Sequence, residues 1–155
     1  MALNFNRIDL SRIYPPLLDK LHEISESLGS VDYYATSGFR SFHDQTILYA
    51  QGRTTPGPIV TQAQAGYSGH QYGISVDFCR DSSTDQGLQP DWSKEAYEPL
   101  ADAARTLGLE AGYYWHFQDN PHIQWPIADK WTDLIQISRN GHDIKAVWDY
   151  LDSIP

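Results

Sequence analysis

The sequence predicts an α+β domain with a small, mainly antiparallel sheet flanked by helices, on three observations. Apolar residues recur at helical spacing in some stretches and alternate in others, the two kinds mixed without a regular βαβ rhythm. The length, 155 residues, suits one well-cored domain and is short for two. The composition, 41% apolar and 20% charged with a mean hydropathy of -0.50, is that of a globular chain.

Pro15–Leu28 sets Leu17, Leu18, Leu21, Ile24 and Leu28 on one helical face, and Gly29 is a natural stop. Val31–Thr36 reads as a short strand running into Ser37-Gly38-Phe39-Arg40. Ser41, followed by Asp44 in capping-box spacing, opens a helix that ends near Gly52. Arg53–Ser68 is rich in Gly, Pro, Thr and Gln and reads as a long surface loop, a length that usually signals function. Ile74–Phe78 alternates as a strand, with Ile74, Val76 and Phe78 toward the core and Ser75 and Asp77 on the other face. A polar loop, Arg80–Pro90, leads to a helix over about Ala96–Leu107, with Pro99 near its first turn and Gly108 at its end. Pro121 introduces a last strand, His122–Trp125, with His122 and Gln124 on one face. The tail has two amphipathic pieces separated by Asn140-Gly141, the second stacking Ile144, Val147, Trp148 and Leu151. Residues 1–130 thus form the main domain, and 131–155 a helical extension packed on it or accessory to it.

The net charge of -9 and pI near 4.9 argue against a binder of phosphate backbones, so no nucleic-acid partner is expected. No apolar run approaches the roughly 18 residues that span a bilayer, and the first residues lack a secretory signal pattern. The single cysteine, Cys79, can make neither an internal disulfide nor a thiolate metal site. The expectation is a monomer made in a reducing cytoplasm without a signal peptide.

Two of the six histidines, His70 and His122, lie beside strands whose polar faces carry carboxylate or amide groups. The stretches are Ser68-Gly-His70-Gln-Tyr-Gly73-Ile-Ser-Val-Asp77 and Asp119-Asn-Pro-His122-Ile-Gln124. Two imidazoles and one carboxylate suit a catalytic zinc, whose fourth position stays open to water. Gly73 lets the chain turn so that Asp77 comes back toward His70, and His122 arrives from a separate strand. Asp119 is placed to be a general base for water activated by the metal, and Arg40 to bind a carboxylate or an oxyanion. On residues alone a second account stands beside this one, with His70 a loop residue and Asp77 a strand-end cap.

Other patterns carry less. Ser68, His70 and Asp77 lack a nucleophile elbow, which excludes a serine-hydrolase triad. His22-Glu23 is followed by Glu26 where a thermolysin-like motif needs histidine, and reads as a solvated helix face. Asp81, Ser83 and Asp85 hint at a calcium loop, but Gln86 replaces its turn glycine and Trp92 its terminal glutamate. His116 reads equally as a substrate neighbour or as a structural histidine.

The strings SGFRSFHDQTILYAQGRTTPG (Ser37–Gly57), SGHQYGISVDF (Ser68–Phe78) and DNPHIQ (Asp119–Gln124) resemble the zinc peptidases of bacterial cell walls. This superfamily holds the D-Ala-D-Ala carboxypeptidases and dipeptidases. Within it, the sequence is most similar to the L-alanyl-D-glutamate endopeptidases of phage endolysins and bacterial wall hydrolases. The likeness runs from roughly Leu17 to Trp125, with the three motifs in the family's order. It implies a hedgehog/DD-peptidase-like fold and residues 1–130 as the catalytic domain. It also implies zinc held by His70, Asp77 and His122, Asp119 as base, and Arg40 polarising the scissile carbonyl. Ser68, Gln45 and His116 are implied near the substrate, with Ser68 shaping the ligand loop. The implied reaction is hydrolysis of the L-Ala–D-Glu bond in the peptidoglycan stem peptide, on a wall reached after release from the cytoplasm. A D-alanyl-D-alanine carboxypeptidase or dipeptidase with the same centre, or a catalytically silent wall-binding relative, are the alternatives. Two departures stand out: Gly108–Trp115 replaces a Trp-Gly-Gly-Asp-Trp type of run beside the cleft, and Ser75 replaces a small apolar residue.

Overall fold

Five helices and six strands make up the computed structural model, which describes residues 2–83 and 87–155; the two-residue strands among them carry no pattern in the sequence. The strands are β1 (Leu3–Asn4), β2 (Tyr33–Ser37), β3 (Ser75–Asp81), β4 (Pro90–Asp91), β5 (Glu110–Ala111) and β6 (His122–Gln124). They form one sheet in the order β1-β2-β3-β6-β5, with β4 pairing β3. The β1–β2 pairing is parallel and the others are antiparallel. The helices are α1 (Pro15–Leu28), α2 (Phe42–Ala50), α3 (Lys94–Thr106), α4 (Trp131–Ile137) and α5 (Ile144–Ser153). None is long and apolar enough to cross a membrane.

The core lies where the apolar periods meet. Leu17, Leu21 and Ile24 of α1 bury against Ile74, Val76 and Phe78 of the β3 segment and against Tyr97, Leu100 and Ala104 of α3. Proline at the first turn of α1 costs no backbone hydrogen bond, and Gly29 leaves the helix with φ 66. Ser41 caps α2 by accepting from Asp44 N at 3.0 Å, in the spacing the sequence shows.

Three boundaries differ from expectation. β3 runs on to Asp81, because Arg80 and Asp81 find ladder partners in β4, and Arg80 also faces Tyr33 of β2. The expected polar loop therefore begins later. Asp85, the third residue of the calcium pattern, lies outside the described residues. The second difference is that α3 starts at Lys94, so Pro99 sits inside the helix. The carbonyl left without a helical donor belongs to Glu95, which is exposed to solvent. The third is β2, which begins at Tyr33 rather than Val31.

Leu134, Val147 and Leu151 of the tail helices join the same core as the sheet. Trp148 Nε1 donates to Tyr72 O at 2.8 Å, and Tyr14 Oη to Asp152 Oδ1 at 2.6 Å. The first of these bonds ties α5 to the 3₁₀ turn Gly69–Tyr72, which carries His70.

Candidate metal centre and active site

His70 is positioned by a cap. Ser68 Oγ accepts from His70 N at 3.4 Å, and Gln71 Oε1 accepts from Ser68 N at 3.2 Å, a capping box that starts the turn. Gly73 ends it at φ 68, ψ 21, packed so tightly on the Arg12 carbonyl that a Cβ would collide. The chain thereby reverses straight into β3. There Asp77 lies directly opposite His122 of β6, so the pair shares one face of the sheet as cross-strand neighbours.

The three side chains converge. His70 Nε2 lies 3.1 Å from Asp77 Oδ2, and His122 Nδ1 lies 3.0 Å from Asp77 Oδ1. One ligand atom from each falls within 4.8 Å of the others, which gives the chain a metal-capable group among the described residues. The far nitrogen of each ring is committed elsewhere. His70 Nδ1 donates to Gly38 O at 2.6 Å, and His122 Nε2 donates to Gln124 Oε1 at 2.9 Å. Each ring therefore turns its other nitrogen toward Asp77. Two oriented imidazoles with one carboxylate are the donor set of an open zinc site, and these residues fit that ion.

The charges are strongly coupled. Burial opposes the Asp77 carboxylate, but the charge of His70 and hydrogen bonds from both imidazoles overcome it and hold the acid well below the usual range. Burial likewise opposes a charged His122, yet the hydrogen bond and charge of Asp77, followed by Asp119, push its pKa up. Asp119 Oδ2 lies 3.7 Å from His122 Nδ1 at the mouth of the centre. Its pKa is raised by partial burial and by the Asp77 charge, against the opposing pull of His122, His70 and Arg40. Its electrostatic surroundings suit a proton acceptor working close to the metal-capable group.

Arg40 comes in beside the centre, its own N–H donating to His70 O at 2.9 Å. The guanidinium is aimed by Gln45 Oε1, at 2.9 Å from Nη1, and by Ser37 Oγ, at 3.0 Å from Nη2. Gln45 itself departs from expectation. It was expected to contact substrate, but it is 0% exposed, and its Nε2 donates to Ala63 O at 2.8 Å and to Thr61 Oγ1 at 3.3 Å. With its amide fully engaged, it holds Arg40 and pins the 53–68 loop. Ser68 and His116 do line the cleft, Ser68 as the cap of the His70 turn and His116 on the exposed 115–118 segment. Cys79 is buried, away from the cleft lining.

The cleft over this centre is ≈ 830 Å³. One wall is the 53–68 loop, with Ile59 and Val60 exposed, and the other carries Trp115 and Phe117, the latter 74% exposed. The Trp115 ring centroid lies 4.9 Å from that of His122. The sequence reading missed Glu110, whose Oε2 accepts from Gln124 Nε2 at 3.2 Å. No periodicity marks it, since β5 is only two residues long.

Known proteins share this arrangement of chain. The family profile described as VanY, D-alanyl-D-alanine carboxypeptidase, matches residues 11–131. The peptidoglycan L-alanyl-D-glutamate endopeptidase CwlK of Bacillus subtilis (strain 168) is 38% identical over 123 residues, 75% of this chain and 73% of CwlK. The crystal structure of the Serratia marcescens L-Ala D-Glu endopeptidase ChiX matches with a TM-score of 0.56 at 21% identity, over 80% of this chain and 90% of that one, a likeness of fold.

Proposed function

The chain belongs to the VanY D-alanyl-D-alanine carboxypeptidase family, and from there we propose a zinc-dependent peptidoglycan endopeptidase that hydrolyses the L-Ala–D-Glu bond of the stem peptide. The observation that carries this reading is the convergence of His70, Asp77 and His122 beneath a cleft that also holds Asp119 and Arg40. The bond assignment rests on the identity to CwlK, whose name states that activity.

His70 Nε2, Asp77 and His122 Nδ1 would hold the zinc ion. Bound there, zinc supplies Lewis acidity toward a carbonyl oxygen and a water. Asp119, with its raised pKa, takes the proton from the attacking water and returns it to the leaving amine. Arg40 keeps N–H donors beyond those held by Gln45 and Ser37, and offers them to the carbonyl oxygen as charge develops there. The exposed apolar walls flank the peptide. No residue is required to form a covalent bond with substrate.

Mass spectrometry of purified peptidoglycan digested with the protein tests this, with chelator and with zinc added back. New peptides beginning with D-Glu, paired with muramyl-L-Ala ends and lost on chelation, are expected. Release of terminal D-Ala instead would move the assignment to a carboxypeptidase, the activity in the family's description. A folded, zinc-loaded protein that cleaves nothing would leave a wall-binding relative.

A further inference from the structure

His122 has a polar partner at each ring nitrogen, and the nitrogen that carries the proton decides whether the other can offer a lone pair to a metal. Asp77 Oδ1, 3.0 Å from Nδ1, would on its own draw the proton to that side and close the nitrogen to a cation. The opposing influence is Gln124 Oε1, 2.9 Å from Nε2. An amide can present either end to an imidazole, oxygen to an N–H or NH₂ to a lone pair. What settles the matter is on the far side of the amide. Gln124 Nε2 lies 3.2 Å from Glu110 Oε2, and a carboxylate only accepts. Reversing the amide would set oxygen against oxygen. The orientation with Oε1 toward His122 therefore prevails, and Nε2 keeps a proton whether or not Nδ1 carries one.

Ser75 has a different part in the same contact. Its Oγ donates to Gln124 Oε1 at 3.0 Å, fully buried, but a hydroxyl serves either orientation of an amide. Ser75 thus fixes where the amide sits, and Glu110 fixes which way round it lies. The register makes this possible, since Gln124 is directly opposite Ser75 in β3 on one side and Glu110 in β5 on the other. Gly69 leaves the room. A Cβ there would collide with Ser75 Oγ and stand 2.9 Å from Gln124 Oε1.

We propose that Glu110 and Ser75 are positioning residues which act through the Gln124 amide to keep the His122 Nδ1 lone pair turned into the metal centre. This rests on the metal reading above. The side chains of both residues hydrogen-bond to Gln124, which carries the effect.

The test measures zinc affinity by competition with a chromophoric chelator. It also locates the His122 ring proton by long-range proton–nitrogen NMR correlation, with and without zinc. Wild-type protein is expected to carry a proton on Nε2 in both states. Glu110→Ala is expected to weaken zinc binding about tenfold and, without metal and at a pH where the ring carries a single proton, to leave Nε2 bare with that proton on Nδ1. Glu110→Gln, whose side-chain oxygen can still accept from Gln124, restores most of the affinity, and Ser75→Ala loses less than Glu110→Ala. A purely structural role would lower the melting temperature without moving the ring proton. A folded Glu110→Ala protein with unchanged affinity and an unchanged ring overturns the proposal. So does a wild-type ring with a bare Nε2, which needs no variant to fold. Wild-type protein that shows the Nε2 proton yet binds no zinc supports the positioning and overturns the metal reading instead.

Discussion

The floor and the rim of the cleft are built on opposite principles. The floor is the shared face of β3 and β6 together with the turn that carries His70, and His70, His122, Ser75 and Gln124 are buried there and hydrogen-bonded to one another or to backbone carbonyls. The rim is two exposed segments, 53–68 and 115–118, that present Ile59, Val60 and Phe117 to solvent. Buried, satisfied polar groups hold a geometry that chemistry needs, whereas exposed apolar groups gain only when something covers them. The difference assigns bond-breaking to the floor and substrate grip to the rim.

The largest effect expected from that division is at Asp119, where floor and rim meet. Asp119→Asn keeps the shape and loses the base, so kcat should fall by about 10²–10⁴ while zinc affinity changes little. Steady-state kinetics on a defined muropeptide, with a zinc titration of the same sample, checks both halves. A variant that keeps its kcat would remove Asp119 from the reaction.

At the rim the expected effect is smaller and of another kind. Phe117→Ala removes an aromatic surface that only bound substrate covers, which should raise KM by about fivefold, ~1 kcal/mol, with kcat and zinc affinity unchanged. A fall in kcat at constant KM would mean that the rim takes part in the chemistry and that the division fails.

The smallest expected effect lies in how the floor responds to pH. In metal-free protein, His122 has a pKa raised above its ordinary 6.5 by Asp77. Its contribution to stability is therefore complete below that value and lost as pH rises through the folded-state pKa. Asp77, held low by the same partners, contributes above the ordinary carboxylate range and loses its contribution only in strong acid. The melting temperature of the metal-free protein should thus fall by a few degrees between neutral and alkaline pH. Zinc competes with protons for the same ligands, so the increment it adds should grow over that interval. Thermal melts at several pH values, with and without zinc, check the two trends. Parallel curves would show that the ring proton and the metal do not share a site.

The floor was also the part most legible in the sequence. Period-two alternation put Ser75 with Asp77 and His122 with Gln124 on common faces, and Gly73 marked the turn between His70 and β3. These signals are local, and burial of the opposite face enforces them. Glu110 was illegible because a two-residue strand carries no period; its place follows from pairing with β6, a long-range fact. Gln45 was misjudged for a related reason. A glutamine on a short helix looks like a surface residue until the 61–63 backbone closes over it. Ser75 and Glu110, far apart along the chain, meet on the Gln124 amide. Seen separately along the chain, they give no sign of that.

The central claim is that the floor is a zinc centre made by His70, Asp77 and His122, and X-ray absorption spectroscopy of the zinc-titrated protein tests it most directly. One tightly bound ion per chain is expected, with two imidazoles and a carboxylate in its shell, and binding lost in Asp77→Ala and His122→Ala. No tight binding, a different number of imidazoles, or affinity that survives both substitutions would contradict it.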